Sequence, residues 1–269
     1  MVNIDLLVTA NQIRRDIVEM TSAAQSGHPG GSLSATDILV ALYFEIMNID
    51  PSQPLLPSRD RFILSKGHAS PVMYATLARR GFFSPDELNS FRQINSRLQG
   101  HVHVMTPGVD MSAGSLGQGL SFALGTALAG KLDDNPYRVY AMVGDGECNE
   151  GQIWEAAMAA SFYNANNLTL FVDRNRIQND RFCDEVMGLE PFADKWKAFG
   201  WKVFETEGHD IQKIINTVAE AQKEEQQPQV IIAHTIKGKG VSFMENNPAF
   251  HGKAANAEQL VAALKELEI

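Results

Sequence analysis

Residues 144–151 read GDGECNEG and lie between an apolar run at 139–143 and a helical-looking run at 153–162. Asp145 therefore stands where a strand ends and a helix begins, the place at which an open α/β sheet receives its ligands. A helix N-terminus there offers unpaired N–H groups to a phosphate. A carboxylate beside it can hold a divalent metal that neutralises the same phosphate. Asn175, thirty positions after Asp145, ends a second apolar run at 168–172. Its amide oxygen can reach the same metal from the next strand. GDG alone is also an ordinary turn; with an asparagine at the end of another strand it describes a diphosphate held through Mg²⁺ or Ca²⁺.

Length and composition are compatible with that reading. The 269 residues suffice for one large domain or two small ones, and 44% apolar residues can fill a sizeable core. A net charge of −9 argues against nucleic acid or an anionic membrane as partner, and leaves room for local positive charge around a phosphorylated substrate. Two cysteines, Cys148 and Cys183, without a signal-like start lead us to expect a reducing, cytoplasmic setting. No apolar run approaches the roughly 20 residues needed to span a bilayer.

Working outward, helices are expected at 4–26, 36–48, 71–80, 120–131, 152–163, 190–199, 210–223 and 255–267. GHPGGS at 27–32 reads as a break between the first two. Ser84-Pro85 marks another helix start, and Asp210 a cap. Strands are expected at 61–64, 138–143, 168–172, 201–206 and 229–234. The alternation predicts one α/β domain, doubly wound, with a mostly parallel sheet and helices on both faces. Long loops cover 100–119 and 238–253.

Four of the seven histidines lie in glycine-flanked loops: His28, His68, His101 and His251. A lone histidine is more often structural, but loops at strand ends favour binding. His68 leaves the strand at 61–64 and can donate to a phosphate oxygen. His251 follows a Gly-rich segment that can fold over a ligand. Lys237 comes directly after the strand at 229–234 and reads either as a cation beside a diphosphate or as a solvated lysine. GSLGQG at 114–119 lacks the GK[ST] of a P-loop. Glu150 could serve only as an acid favourable to a helix N-terminus. Glu147 carries no signal of its own, Cys148 reads as an inert buried thiol, Arg181 as an exposed turn residue, and Trp154, Trp196 and Trp201 as core.

The segments SGHPGGSLSATDIL at 26–39, RFILSKGHASP at 61–71, GSLGQGLS at 114–121, GDGECNEGQIWEA at 144–156, DRNRI at 173–177 and TIKGKGVSFMENNPAFHGK at 235–253 together resemble the N-terminal, diphosphate-binding third of a transketolase. The resemblance covers essentially the whole chain. It implies the thiamine diphosphate-binding fold (the PP domain), with 1–269 as a single domain, and thiamine diphosphate with Mg²⁺ or Ca²⁺ as cofactor. The metal ligands it implies are Asp145, Asn175 and the carbonyl of Ile177. It places His68, Gly114, Leu116, Gly146, Asn175, Lys237 and His251 against the cofactor. Glu150 is placed in the subunit interface, coupled to the partner's catalytic glutamate. His28, His101 and His251 become catalytic residues near the donor hydroxyls. Taking a proton from a sugar hydroxyl at neutral pH calls for a group titrating near 7, which is histidine.

The implied activity is transfer of a two-carbon ketol unit from a ketose, sugar or sugar phosphate, to an aldose. The pyrimidine-binding and C-terminal domains are expected on a partner chain, in an α2β2 assembly. One departure touches the site: the family's Gly-His-Pro reads GHVH at 100–103, so either His101 or His103 could face substrate. Alternatives left open are half of a 1-deoxyxylulose-5-phosphate synthase, the α-chain of a 2-oxo acid dehydrogenase, or a non-catalytic subunit that retains the fold.

Overall fold

A computed structural model describes residues 4–133, 135 and 137–268. The chain runs through α1 (Ile4–Ala23), α2 (Pro29–Ala41), β1 (Arg61–Leu64), α3 (Ser70–Arg80), α4 (Gln118–Leu132), β2 (Val139–Gly144), α5 (Gly151–Phe162) and β3 (Leu168–Arg174). A small antiparallel hairpin, β4 (Ile177–Gln178) and β5 (Arg181–Phe182), follows, then α6 (Cys183–Val186) and α7 (Phe192–Ala198). The chain closes with β6 (Lys202–Glu207), α8 (Ile211–Ala221), β7 (Gln229–His234) and α9 (Ala257–Glu266).

The main sheet has the order β1-β2-β3-β7-β6, and every pairing is parallel. β1, β2, β3 and β7 are buried on both sides, as parallel strands covered by crossover helices are, while the edge strand β6 is partly exposed. Alternation divides them between two cores. Phe62, Leu64, Tyr140, Met142, Phe171 and Ile231 face α1, α2, α3, α8 and α9. Ile63, Val139, Ala141, Val143, Leu170, Val172 and Ile232 face α4, α5 and α7. Trp196 and Trp201 are buried in the second core with Trp154 packed against it, as expected of core tryptophans.

This winding opens the site. β1 and β7 hand the chain on to α3 and α9 on one face, whereas β2 and β3 hand it to α5 and α7 on the other. Exit loops that part in opposite directions leave a crevice at the carboxyl ends of the strands.

Three expectations need correction. α2 begins at Pro29, not near residue 36: GHPGGS is its first turn, with Pro29 at the helix start. The glycines there serve close approach, since a Cβ on Gly30 would lie 2.8 Å from the Phe250 carbonyl oxygen. Ser84 accepts from the Asp86 N–H as a cap does, yet starts only a 3₁₀ turn, Pro85–Ser90. The β4–β5 hairpin was not expected at all. Asp210 caps α8 as expected, its carboxylate accepting from the Lys213 N–H at 3.0 Å.

Candidate active site

A cavity of about 630 Å³ occupies the crevice, and every residue singled out above for cofactor, metal or catalysis lines it: His28, His68, His101, Gly114, Leu116, Asp145, Gly146, Glu150, Asn175, Ile177, Lys237 and His251. β1 delivers Lys66 and His68, β2 delivers Asp145, β3 delivers Asn175, and β7 delivers Lys237. His28 immediately precedes α2, and His251 arrives on the closing loop.

The floor is a network that sequence reasoning missed. Asp173, fully buried at the end of β3, takes hydrogen bonds from the Lys66 ammonium, the Thr235 hydroxyl, Ser34 Oγ at 2.6 Å and Asn175 Nδ2 at 3.1 Å. Lys66 also donates to the Gly31 carbonyl at 2.8 Å. Burial works to raise the Asp173 carboxyl, but Lys66 and these donors outweigh it and hold it below the usual range. One buried carboxylate thus ties β1, α2, β3 and β7 together beneath the cavity. The sequence signalled it only by a lysine directly after an apolar strand, two residues before His68.

Above it stand three hard oxygen donors. Asp145 accepts from Gly146 N–H at 2.8 Å and Arg176 N–H at 2.6 Å, with the Arg174 guanidinium 3.3 Å away. Burial, then the neighbouring Asp173, pushes its carboxyl up. A cation in the cavity would reverse that and keep it ionised. Asn175 Oδ1 accepts the Ile177 N–H at 3.1 Å, and the Ile177 carbonyl accepts from Lys237 Nζ at 3.0 Å. This is a one-carboxylate, oxygen-only set of the kind that hard divalent ions take. Among the described residues, no group of three His, Cys, Asp or Glu side chains could hold a metal.

The imidazoles form one cluster. His28 lies 5.1 Å from His68, 5.3 Å from His251 and 6.2 Å from His101, ring centre to ring centre, and His68 lies 5.3 Å from His251. Lys237 Nζ lies 2.8 Å from His251 Nδ1. The expectation of a group titrating near 7 is not met by these four rings. Burial first, then Arg92 and the cationic neighbours, brings His28 down to about 4. Burial and Lys237 bring His251 down to about 3. His68 falls well below its ordinary value through burial and Lys66, and His101 is also lowered. Lys237 itself drops to about 8 through burial and Lys66. All four rings are neutral hydrogen-bonding groups at pH 7.

The 100–103 departure has a physical account. Val102, where a proline would have no N–H, donates to the Gly67 carbonyl at 3.2 Å. Tyr74 Oη holds the His101 carbonyl at 3.0 Å. His101 turns into the cavity, while His103 stays outside with Nδ1 accepting from the Met105 N–H at 3.2 Å.

Glu147 also needs correction. It is buried, and its carboxylate accepts from the Ser65 hydroxyl, Gly117 N–H at 2.9 Å and Gly144 N–H at 3.0 Å. It pins the glycine-rich loop to the ends of β1 and β2. Glu150 is exposed at the cavity rim, and Arg181 is exposed in β5. Cys148 and Cys183 are free and buried, their thiols pushed up by burial, as inert thiols are.

The residues fit a diphosphate cofactor with a divalent cation. Lys237 makes no ion pair among the described residues; its ammonium contacts a carbonyl and an imidazole. His28 Nδ1 is buried without a hydrogen-bond partner among the described residues. Apart from its two chain neighbours, a Cβ on Gly114 would meet no atom of the described residues within 4 Å, so the space beside this glycine is open to the cavity.

Residues 7–268 match the family described as "Transketolase, thiamine diphosphate binding domain". The chain is 45% identical to a 6-deoxy-6-sulfo-D-fructose transketolase subunit of Clostridium sp. (strain MSTE9), covering 98% of this chain and 97% of that one. It is 42% identical to an apulose-4-phosphate transketolase subunit from Phocaeicola vulgatus, covering 94% and 90%. The Campylobacter jejuni transketolase structure superposes with a TM-score of 0.93 at 32% identity, covering 99% of this chain but 43% of that one. No helix among the described residues is long and apolar enough to cross a membrane. With its parallel sheet, its crevice and its motifs in one cavity, the chain belongs to the transketolase family through the thiamine diphosphate-binding domain.

Proposed function

We propose that this chain is the diphosphate-binding subunit of a two-chain transketolase. The observation that carries the reading is the convergence, in one cavity, of three hard oxygen donors, two buried ammonium groups and a cluster of neutral imidazoles. Asp145, Asn175 and the Ile177 carbonyl would hold Mg²⁺ or Ca²⁺, Lys66 and Lys237 would put positive charge beside the diphosphate, and neutral His68 would donate a hydrogen bond to it. Gly114 and Leu116 leave room for the ring system. Bound there, thiamine diphosphate supplies an electron sink for breaking the bond next to a ketose carbonyl.

The chain's own part is position and protons. His28, His101 and His251 ring the open side, where neutral imidazoles accept a hydrogen bond or a proton from donor hydroxyls. Anionic charge arriving on the diphosphate opposes the cationic neighbours that depress these rings and moves their pKa values upward.

The completing pyrimidine-binding and C-terminal domains belong, in this reading, to a second chain in an α2β2 assembly. Support comes from relatives named as subunits and matched over nearly their full length. Because those relatives are named for a sulfo sugar and a sugar phosphate, we assign an anionic ketose as donor. The free, buried cysteines suit a reducing cytoplasm.

The test is a ketol-transfer assay on the full chain alone and then with the partner chain. The chain should be silent alone and active when combined, since Glu150 waits at the rim for a partner's acid. Full activity from this chain by itself would overturn the split-enzyme reading.

A further inference from the structure

The segment that carries Lys237 is held from behind by groups that do not line the main cavity. Ile236, the residue before Lys237, donates its backbone N–H to His209 Nε2 at 2.8 Å. The other ring nitrogen, Nδ1, faces the Asp37 carboxylate at 2.7 Å. A nitrogen that accepts from an amide carries no proton, so the neutral ring keeps its proton on Nδ1 and donates it to Asp37. Asp37 is buried in α2, and the Arg14 guanidinium of α1 binds the same oxygen. Burial works to raise the Asp37 carboxyl, yet Arg14 and His209 outweigh it and keep it ionised.

The turn bearing His209 is built to reach this place. Gly208 donates its N–H to the His234 carbonyl at 2.8 Å, closing the turn after β6 onto the end of β7. A Cβ on Gly208 would lie 2.4 Å from the Thr235 methyl, so a larger residue would push the turn away. One residue beyond His209, Asp210 caps α8 and fixes the turn's other side. On the far side of Ile236, Lys237 Nζ spans the Ile177 carbonyl and His251 Nδ1.

We propose that His209 is a positioning residue for the Lys237–His251 pair: its tautomer, set by Asp37 and Arg14, orients the peptide between residues 235 and 236, one residue ahead of Lys237, and so aims the ammonium. The inference rests on Lys237 being the cation beside the diphosphate and His251 the group over the reacting centre. His209 touches neither cofactor nor substrate; it acts through one backbone N–H. A chain of side chains from α1 and α2 thereby reaches the site from the opposite face of the closing loop.

Two substitutions separate the ring's two contacts. His209→Asn places an amide near the position of Nδ1, keeping a donor for Asp37 and leaving the Ile236 N–H without an acceptor. His209→Gln reaches as far as Nε2 and restores an acceptor for Ile236. In the assembled enzyme, His209→Asn should lower kcat about 10- to 100-fold, the cost of misplacing a catalytic group by about an ångström. The acceptor KM should change little, and His209→Gln should recover most of the rate. Hydrogen exchange of the Ile236 amide in the full chain should speed up in the Asn variant and remain slow in the Gln variant. ¹⁵N spectra of the histidine-labelled full chain should show His209 protonated on Nδ1 and bare on Nε2. A proton on Nε2 at pH 7, an unchanged kcat in His209→Asn, or equal losses in both variants would overturn the proposal. If the wild-type complex performs no ketol transfer, the functional reading falls, while the nitrogen shifts and the Ile236 exchange still decide the role of His209.

Discussion

The two ends of the sheet handle charge in opposite ways. At the end where the strands begin, Asp60 accepts from Arg138 N–H at 2.9 Å and from Asn48 N–H at 2.8 Å. Beside it, Asp110 pairs with the Arg59 guanidinium and accepts the Phe62 N–H at 3.0 Å. Both carboxylates are occupied by the chain's own donors. Where the strands finish, Lys237 makes no ion pair and His28 Nδ1 has no hydrogen-bond partner among the described residues, and four imidazoles are kept neutral. Buried polar groups left open cost stability, and a fold retains them where a ligand completes them. The same sheet therefore has a structural end and a functional end.

Substitutions at the two ends should fail differently. His28→Ala and His251→Ala should each cut turnover of the assembled enzyme by roughly 10²–10⁴-fold, the usual contribution of a proton-transfer group. Their unfolding midpoints in denaturant should stay close to that of the unaltered chain. Normal ketol transfer by both would remove the imidazoles from the mechanism. At the opposite end, Asp60→Ala removes the acceptor of the Asn48 and Arg138 N–H groups, at about 1 kcal/mol for each part-buried bond. Denaturant unfolding should show that loss, while cofactor affinity of the folded complex stays unchanged. A loss of affinity without a loss of stability would erase the contrast between the ends.

The smallest effect concerns pH. His28 at about 4 and His251 at about 3 lie below the ordinary 6.5 of an unfolded histidine. Between about 6.5 and 4 the unfolded chain binds more protons, so acidification through that window favours unfolding. Above 6.5 the stabilisation from the neutral rings is fully present. Melting temperatures of the full chain should therefore fall as pH drops from 7 to 4.5. The double variant His28→Ala/His251→Ala should fall less steeply. Parallel curves would show that the rings are not depressed.

Much of this was legible in the sequence because strand ends are marked by local pattern. An apolar run that stops at Asp145, Asn175 or Lys237 locates a functional residue without any knowledge of its neighbours. What escaped depends on contacts between distant segments. GHPGGS looks like a helix breaker until Gly30 is seen under the Phe250 carbonyl. Glu147 carries no signal of its own until its carboxylate is found holding Ser65, Gly117 and Gly144. His209, in a short turn after a strand, carries no pattern that links it to Ile236. The histidine pKa values escape the sequence for the same reason: burial and the cations that depress them, Lys66, Arg92 and Lys237, come from three separate segments of the chain.

The central claim is that the open end binds thiamine diphosphate through a divalent cation held by Asp145. Calorimetric titration of thiamine diphosphate into the assembled complex, with Mg²⁺ and then with the ion chelated, compares the unaltered protein with Asp145→Ala. The account predicts tight binding only for the unaltered protein with Mg²⁺ present, and loss of Mg²⁺-dependent binding in Asp145→Ala although the variant remains folded. Equal affinity in the variant, or affinity indifferent to the metal, would contradict it.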